Sequence, residues 1–107
     1  MPVIKIFCAE HPEAEASERL GQALRELCVG SMGAQPDAIQ LIVVPGVQML
    51  EGAPVFVEAH YRDRPDREGP ALARFLEGLD HAVQSAFGQA PRIRSFAVDI
   101  GTLGAVR

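Results

Sequence analysis

The residue with the clearest chemical potential is Pro2, which follows Met1 and opens an apolar run over residues 2–8. If Met1 is removed, the nitrogen of Pro2 becomes a secondary amine at the chain terminus. A free α-amino group has a pKa of about 7.7–8.0, and apolar burial lowers it because the charged form is desolvated. Such an amine is a candidate general base near neutral pH. The alternative is structural, because proline is tolerated at the first residue of a strand.

The composition is typical of one folded domain. The chain has 107 residues, of which 48% are hydrophobic and 22% charged, enough for one core. Its net charge of -4 argues against nonspecific nucleic-acid binding, which depends on clustered lysine and arginine. No apolar run approaches the ~20 residues of a membrane span, and the start does not resemble a secretory signal. We therefore expect a cytoplasmic protein with no nucleic-acid or membrane partner.

The cysteines and histidines do not form a metal-site pattern. Cys8 and Cys28 fall on different predicted elements, and two cysteines in a cytoplasmic chain are more often buried thiols than a disulfide. The histidines, His11, His60 and His81, are scattered, without the spacing of a zinc site. The sequence therefore predicts no metal and no cofactor. His60 is interpreted as a packed or surface residue rather than a catalytic one.

Hydrophobic periodicity predicts two helices and four strands in the order β-α-β, β-α-β. The predicted helices cover about residues 13–29 and 68–86, and the predicted strands cover about residues 2–8, 39–44, 55–61 and 93–100. Gly30 and Gly33 are stop signals for the first helix, and Gly88 for the second. The segment 101–107 is too short for an independent element and is a candidate for pairing with a neighbouring subunit.

Turn residues at matching positions indicate an internal repeat. The matched positions are Pro2 with Pro54, Pro12 with Pro65, and Gly33-x-x-Pro36 with Gly88-x-x-Pro91. Such a repeat means two copies of one supersecondary unit, here about residues 2–45 and 54–100, within a single domain over residues 1–107. Right-handed crossovers then predict an α+β fold in which two helices pack on one face of a four-stranded mixed sheet.

The second face of the predicted sheet needs a cover. The strands carry apolar residues at both odd and even positions, yet both helices are expected on one face. Other copies of the chain are therefore predicted to cover the second face, which requires a homo-oligomer. Lys5 and Glu58 are predicted to lie in this inter-subunit region and to be paired there or with other partners, because a lone buried charge is costly. The alternative is that either side chain reaches solvent.

This layout resembles the tautomerase superfamily over essentially the whole chain. Its members consist of β-α-β units, begin at a proline exposed by loss of the initiator methionine, and assemble as trimers, or as hexamers of single units. The sequence PVIKI at residues 2–6 is similar to the start of many members. The sequence IQLIVVP at residues 39–45, followed by Met49 and Gly52, is similar to the second strand and loop of the two-unit member macrophage migration inhibitory factor. Pro54 points further to a bacterial branch of uncharacterised function.

The resemblance implies acid–base chemistry on a small 2-oxo or enol carboxylic acid, with Pro2 as the catalytic base. Family arginines bind the carboxylate and polarise the carbonyl, a task that suits a planar two-pronged donor. One family arginine lies ten residues after the proline. That position is Pro12 in the first repeat, which cannot serve, and Arg64 in the second, which can. The other lies on the second strand of the unit, at Gln40 in the first repeat and Arg94 in the second.

Three further residues are assigned to substrate binding by the same resemblance. Tyr61 and Arg62 end the third strand, and Phe96 lies near the site residues on the last long strand of macrophage migration inhibitory factor. The alternative for the loop arginines is a solvated segment among acidic neighbours, an interpretation that applies most strongly to Arg67. Arg94 has the same alternative as an ordinary surface residue.

Two functions remain open from the sequence. The first is a proline-dependent tautomerase, an isomerase without a cofactor, which binds a small carboxylate and works as a homotrimer. The second is a non-catalytic trimeric binding or scaffold protein with the same fold. The chain departs from macrophage migration inhibitory factor at about Ala34, where that protein has a lysine after its first helix.

Overall fold

The centre of the sheet is an antiparallel pair formed by β1 (Pro2–Phe7) and β3 (Phe56–Arg62). Each of these strands has a parallel partner on its outer side. β2 (Gln40–Val44) lies beside β1, and β4 (Arg92–Val98) lies beside β3. The strand order is therefore β2-β1-β3-β4.

Two helices connect the parallel pairs and pack side by side. α1 (Ala14–Met32) leads from β1 to β2, and α2 (Pro70–Phe87) leads from β3 to β4. The predicted α+β fold, with two helices and a four-stranded mixed sheet, is confirmed. This computed structural model describes residues 2–107, so Met1 and the state of the amino terminus lie outside the described residues. Within that range, no helix combines the length and apolar character needed to cross a membrane.

α1 continues three residues beyond its predicted end because Gly30 does not stop it. The stop is Gly33, whose φ of 60° is left-handed, a conformation that glycine adopts without steric cost. The N–H of Ala34 donates to the carbonyl of Cys28 at 3.1 Å, which closes the end of the helix. This end matters for the site, because the chain passes next through a short 3-10 helix, Pro36–Ala38, into β2.

The other boundaries differ from the predicted ones by one or two residues. α2 begins at Pro70, since the N-cap is Gly69 and proline fits the first helical turn. β4 ends at Val98 rather than at residue 100, because Thr102 donates its N–H to the carbonyl of Asp99 and turns the chain.

The core lies between the helices and one face of the sheet. Residues at even positions of β1 and at odd positions of β3 are buried there, and their neighbours face the other way. The helices contribute mainly Leu20, Leu24, Cys28, Met32, Phe75, Leu79 and Val83. Cys8 and Cys28 are both buried free thiols, as predicted. Burying each large apolar side chain contributes roughly 1.5–3 kcal/mol, which makes this layer the main source of stability.

The opposite face, which the two helices leave open, is called the open face here. It is formed by alternate residues of the four strands, among them Val3, Lys5, Phe7, Ile42, Val44, Phe56, Glu58, His60, Arg94 and Phe96. Lys5 and Glu58 are direct cross-strand neighbours on it. Nε2 of His60 donates to Oε1 of Glu58 at 2.9 Å, so the predicted pairing of Glu58 is observed within the chain. That Lys5 and Glu58 lie between subunits stays a prediction.

Candidate functional site

Pro2 lies at the point where β1 begins and β3 ends. The antiparallel register pairs Pro2 with Tyr61, so the amino end of β1 meets the carboxyl end of β3, which is Arg62. The ring of Pro2 is fully buried. Tyr61 is 3% exposed, and its ring meets that of Phe75 edge-on at a centroid distance of 6.3 Å. Such surroundings would lower the pKa of a terminal amine, because they desolvate its charged form.

An arginine-lined cleft opens where β3 ends. The chain leaves β3 and forms a short 3-10 helix, Pro65–Arg67. One wall of the cleft consists of Arg62, Arg64 and Arg67, and the other of Gly33, Gln35 and Ala38. Its volume of about 180 Å³ is small beside the roughly 300–1,000 Å³ of sites for drug-sized ligands, so it suits a small anion.

Arg64 forms a two-pronged ion pair with Asp66. Its Nε donates to Oδ1 at 2.9 Å and its Nη2 donates to Oδ2 at 2.5 Å. The hydrogen bond from Arg64 lowers the pKa of the Asp66 carboxyl, and the same bond raises the pKa of Arg64. Both groups are accessible, so the pair contributes little to stability. Its effect on the site is larger, because a carboxylate ligand must compete with Asp66 for the same guanidinium.

Arg67 is buried, and its interpretation as a solvated loop residue was wrong. It is 3% exposed, and burial lowers its pKa. Its Nε donates to the carbonyl of Met32 at 2.8 Å, and its Nη1 donates to the carbonyl of Arg62 at 3.1 Å. A helix leaves its last carbonyls unpaired and favours a cation beside them. No sequence signal singles out this contact, because α1 has no basic residue in its last turn and neither has α2.

Arg94 and Phe96 lie on the open face, whereas Pro2 faces the helices. Arg94 is exposed, is the cross-strand neighbour of Glu58, and donates from Nη1 to the adjacent carbonyl of Ile93 at 2.9 Å. Phe96 is 43% exposed and stacks on His60, with ring centroids 4.7 Å apart. A single copy therefore places Tyr61, Arg62 and Arg64 at or just after the end of β3, whereas Arg94 and Phe96 lie on the open face. That these two residues bind substrate stays a prediction.

The charges of the cleft favour an anion. Three of its lining residues are arginines and none is acidic, and Asp66 balances only one of them. Within residues 2–107, no group of three or more His, Cys, Asp or Glu side chains is arranged to hold a metal ion. The cleft can thus bind a carboxylate through guanidinium groups. Pro2, whose strand partner Tyr61 precedes Arg62, is not among the residues that line it.

Comparison with known proteins identifies the architecture. No family model matches the sequence, and no curated protein matches it. The solved structure of fused 4-OT as a wild-type symmetric trimer is 18% identical, with a TM-score of 0.79 over 96% of this chain and 90% of that chain. Pt0534, inactivated by 2-oxo-3-pentynoate, is 17% identical, with a TM-score of 0.80 over 96% and 90%.

A third structure is macrophage migration inhibitory factor from Toxoplasma gondii. It is 8% identical, with a TM-score of 0.76 over 96% of this chain and 95% of that chain. All three likenesses extend over nearly the whole of both chains, and at such low identity they establish the shared fold. The chain therefore has the fold of the tautomerase superfamily, as the resemblance of its sequence implied.

Proposed function

We propose that this chain interconverts the keto and enol forms of a small 2-oxo carboxylic acid, with Pro2 as the general base once Met1 is removed. The observation that carries the proposal is the register of β1 and β3. It pairs Pro2 with Tyr61, one residue before Arg62, which lines the arginine-lined cleft. The proposed base and a proposed carboxylate-binding residue therefore come from adjacent ends of neighbouring strands.

The proposed proton transfers use the amine of Pro2 and the guanidinium groups of the cleft. The amine of Pro2 removes a proton from the carbon beside the carbonyl, the C–H electron pair forms a C=C bond, and the carbonyl oxygen takes the negative charge. The ammonium of Pro2 then gives the proton to that oxygen, which yields the enol, and the reverse steps return the keto acid. Positioned base catalysis contributes about 10²–10⁴ in rate. Guanidinium groups stabilise the charge that develops on oxygen.

We assign the carboxylate of the substrate to Arg62 and Arg64. Both line the cleft, and a guanidinium binds a carboxylate through two parallel hydrogen bonds. Arg64 already holds Asp66 in this way, so a substrate carboxylate would replace that acceptor. Tyr61 would close the site on its core side, where its ring is packed against Phe75.

The working unit in this proposal is a homotrimer in the cytoplasm, each chain forming one domain of two repeats, about residues 2–45 and 54–100. Structures of fused 4-OT are trimers, and this chain shares their fold. The open face carries apolar and aromatic side chains that a second copy would cover, Phe96 among them. Arg94 and Phe96 of one copy would then complete the site around Pro2 of another.

A second candidate is a non-catalytic trimeric binding protein with the same fold. One observation favours it: the guanidinium of Arg64 is engaged by Asp66 in the same chain. Retention of Met1 would have the same consequence, because the nitrogen of Pro2 would then be an amide without basicity.

Turnover separates the two candidates. The conversion of enolpyruvate-type acids to their keto forms is followed by absorbance with the native chain, Pro2→Ala and Pro54→Ala. Pro54 is the matched control, since it is an exposed proline at the corresponding place in the second repeat and is never a terminal amine. We expect Pro2→Ala to lose at least about 10²-fold in kcat, with Pro54→Ala unchanged. Equal rates in all three proteins would exclude the proline mechanism.

A covalent probe gives independent support. Pt0534 is inactivated by 2-oxo-3-pentynoate, an acetylenic 2-oxo acid. Its triple bond accepts a nucleophile, so a free amine at Pro2 should add to it and stop turnover. Mass spectrometry of the digested protein should find the adduct on the peptide that begins at Pro2. An adduct elsewhere, or none, would argue for the non-catalytic candidate.

A further inference from the structure

We infer that Arg67 is a positioning residue, whose guanidinium braces the end of β3 against the end of α1 and so fixes the cleft in the geometry that carboxylate binding requires. The inference rests on the proposed function, because it concerns the same cleft. It gives a role to a buried cation that the chemistry of Pro2, Arg62 and Arg64 does not use.

The hydrogen bonds of Arg67 join two distant parts of the chain. Nε donates to the carbonyl of Met32, the last residue of α1, and Nη1 donates to the carbonyl of Arg62, the last residue of β3. The backbone N–H of Arg67 also donates to the carbonyl of Arg64 at 2.9 Å. The guanidinium of Arg67 therefore ties Arg62 to the end of α1, and the backbone N–H of the same residue adds Arg64.

The end of β3 and the end of α1 contribute to the two walls of the cleft. Arg62 and Arg64 form one wall, and Gly33, which directly follows Met32, belongs to the other. The guanidinium of Arg67 thus bridges the two walls. A cleft that binds a small anion through guanidinium groups depends on this distance, because charge-assisted hydrogen bonds are short and directional.

The burial of Arg67 distinguishes this role from direct ligand binding. Arg67 is 3% exposed, whereas Arg62 is exposed and Arg64 is accessible. Within residues 2–107, the ion pairs involve other residues, so the partners of Arg67 are backbone carbonyls rather than a carboxylate. Its effect on an anion therefore passes through the groups it holds.

Lysine and methionine variants separate positioning from charge. Lysine keeps the positive charge but lacks the rigid fork that donates to both carbonyls, so Arg67→Lys should behave like Arg67→Met. Both should weaken malonate binding, and raise the KM of an enol acid, about tenfold, the effect of losing one charge-assisted hydrogen bond. Arg74→Lys and Arg74→Met, on the exposed side of α2, are the matched controls and should bind as the native chain does.

A second measurement needs no variant. The Nε proton of Arg67 should exchange with solvent far more slowly than that of Arg74, as seen by ¹⁵N–¹H NMR of the native chain. Malonate titrated into the native chain should shift the signals of Arg62 and Arg67 together. If Arg67→Met does not fold, the malonate affinity of Arg67→Lys and the Nε exchange rates of the native chain still test the positioning role of Arg67.

Each outcome bears on a different claim. A native chain that binds malonate but converts no enol acid overturns the catalytic proposal and leaves the brace standing. A native chain that binds no malonate overturns the brace as a positioning device. Arg67→Lys with native affinity, or an Nε proton of Arg67 that exchanges as fast as that of Arg74, also overturns it.

Discussion

Gly78 in α2 faces Leu27 of α1, and a Cβ atom added at Gly78 would lie 2.6 Å from Cδ1 of Leu27. The two helices therefore approach one another closely because this position has no side chain. The spacing matters for the site, since α1 carries Met32 and Gly33 at its end. We predict that Gly78→Ala destabilises the protein even though alanine is the better helix former.

The size of the effect follows from two opposing terms. Replacing glycine by alanine inside a helix gains about 0.8–1.0 kcal/mol in helix propensity. Overpacking a close helix contact costs about 1–3 kcal/mol, because Leu27 must leave its rotamer or the helices must separate. Gly78→Ala should therefore lower the free energy of unfolding by about 0–2 kcal/mol. Gly21→Ala in α1 is the matched control. Nothing lies within 4 Å of its added Cβ, so its free energy of unfolding should rise by the full gain in helix propensity.

Urea unfolding of the two variants tests this difference. All proteins are measured at one chain concentration, because the stability of an oligomer depends on it. The free energy of unfolding of Gly21→Ala should exceed that of Gly78→Ala by about 1–3 kcal/mol, with the same m value in both. Adding Leu27→Ala should remove most of the penalty of Gly78→Ala, a coupling that a double-mutant cycle measures. Equal gains in Gly78→Ala and Gly21→Ala would refute the close packing of α1 and α2.

Three further predictions concern the thiol, the arginine cleft and the open face. Burial raises the pKa of the Cys28 thiol to about 11 from 9.0, so its contribution to the free energy of unfolding is complete below pH 9 and is lost as pH rises to about 11. The free energy of unfolding of Cys28→Ala should therefore depend less on pH in this window. A pH dependence equal to that of the native chain would contradict the burial. Asp66→Asn should free the guanidinium of Arg64 and lower the Kd for malonate severalfold. Glu77→Gln, at an exposed position, is the control and should leave this Kd unchanged. Weaker malonate binding in Asp66→Asn would mean that Asp66 positions Arg64 rather than competes for it. Phe96→Ser should shift sedimentation velocity profiles toward smaller species, and an unchanged profile would exclude this part of the open face as a subunit contact.

The fold could be predicted from the sequence because its signals are local and repeated. Alternating burial in β1 and β3 and the three–four spacing in both helices each depend on near neighbours in the chain. The error at Gly30 shows the limit of such signals. Two glycines compete as helix stops, and only the conformation of Gly33, with its φ of 60°, decides between them.

The site was less predictable because its residues meet across long stretches of chain. Arg67 is one of several arginines in a loop rich in opposite charges, where a solvated side chain is the ordinary outcome. Its burial depends on the carbonyl of Met32, 35 residues earlier. Arg94 and Phe96 pose a different difficulty, since their proposed role in the site depends on a second copy of the chain, whose position one sequence does not give.

The pH dependence of kcat/KM, measured on protein whose intact mass shows loss of Met1, tests the role of Pro2 most directly. A buried terminal amine predicts a rate that rises with pH through a single inflection below the usual 7.7–8.0 of such a group. Pro2→Ala should lose at least about 10²-fold in kcat/KM, although loss of Met1 still leaves it a primary terminal amine, and Pro54→Ala should keep the native profile. An active chain that retains Met1, or a Pro2→Ala variant with the native rate and inflection, would contradict the assignment of Pro2 as the base.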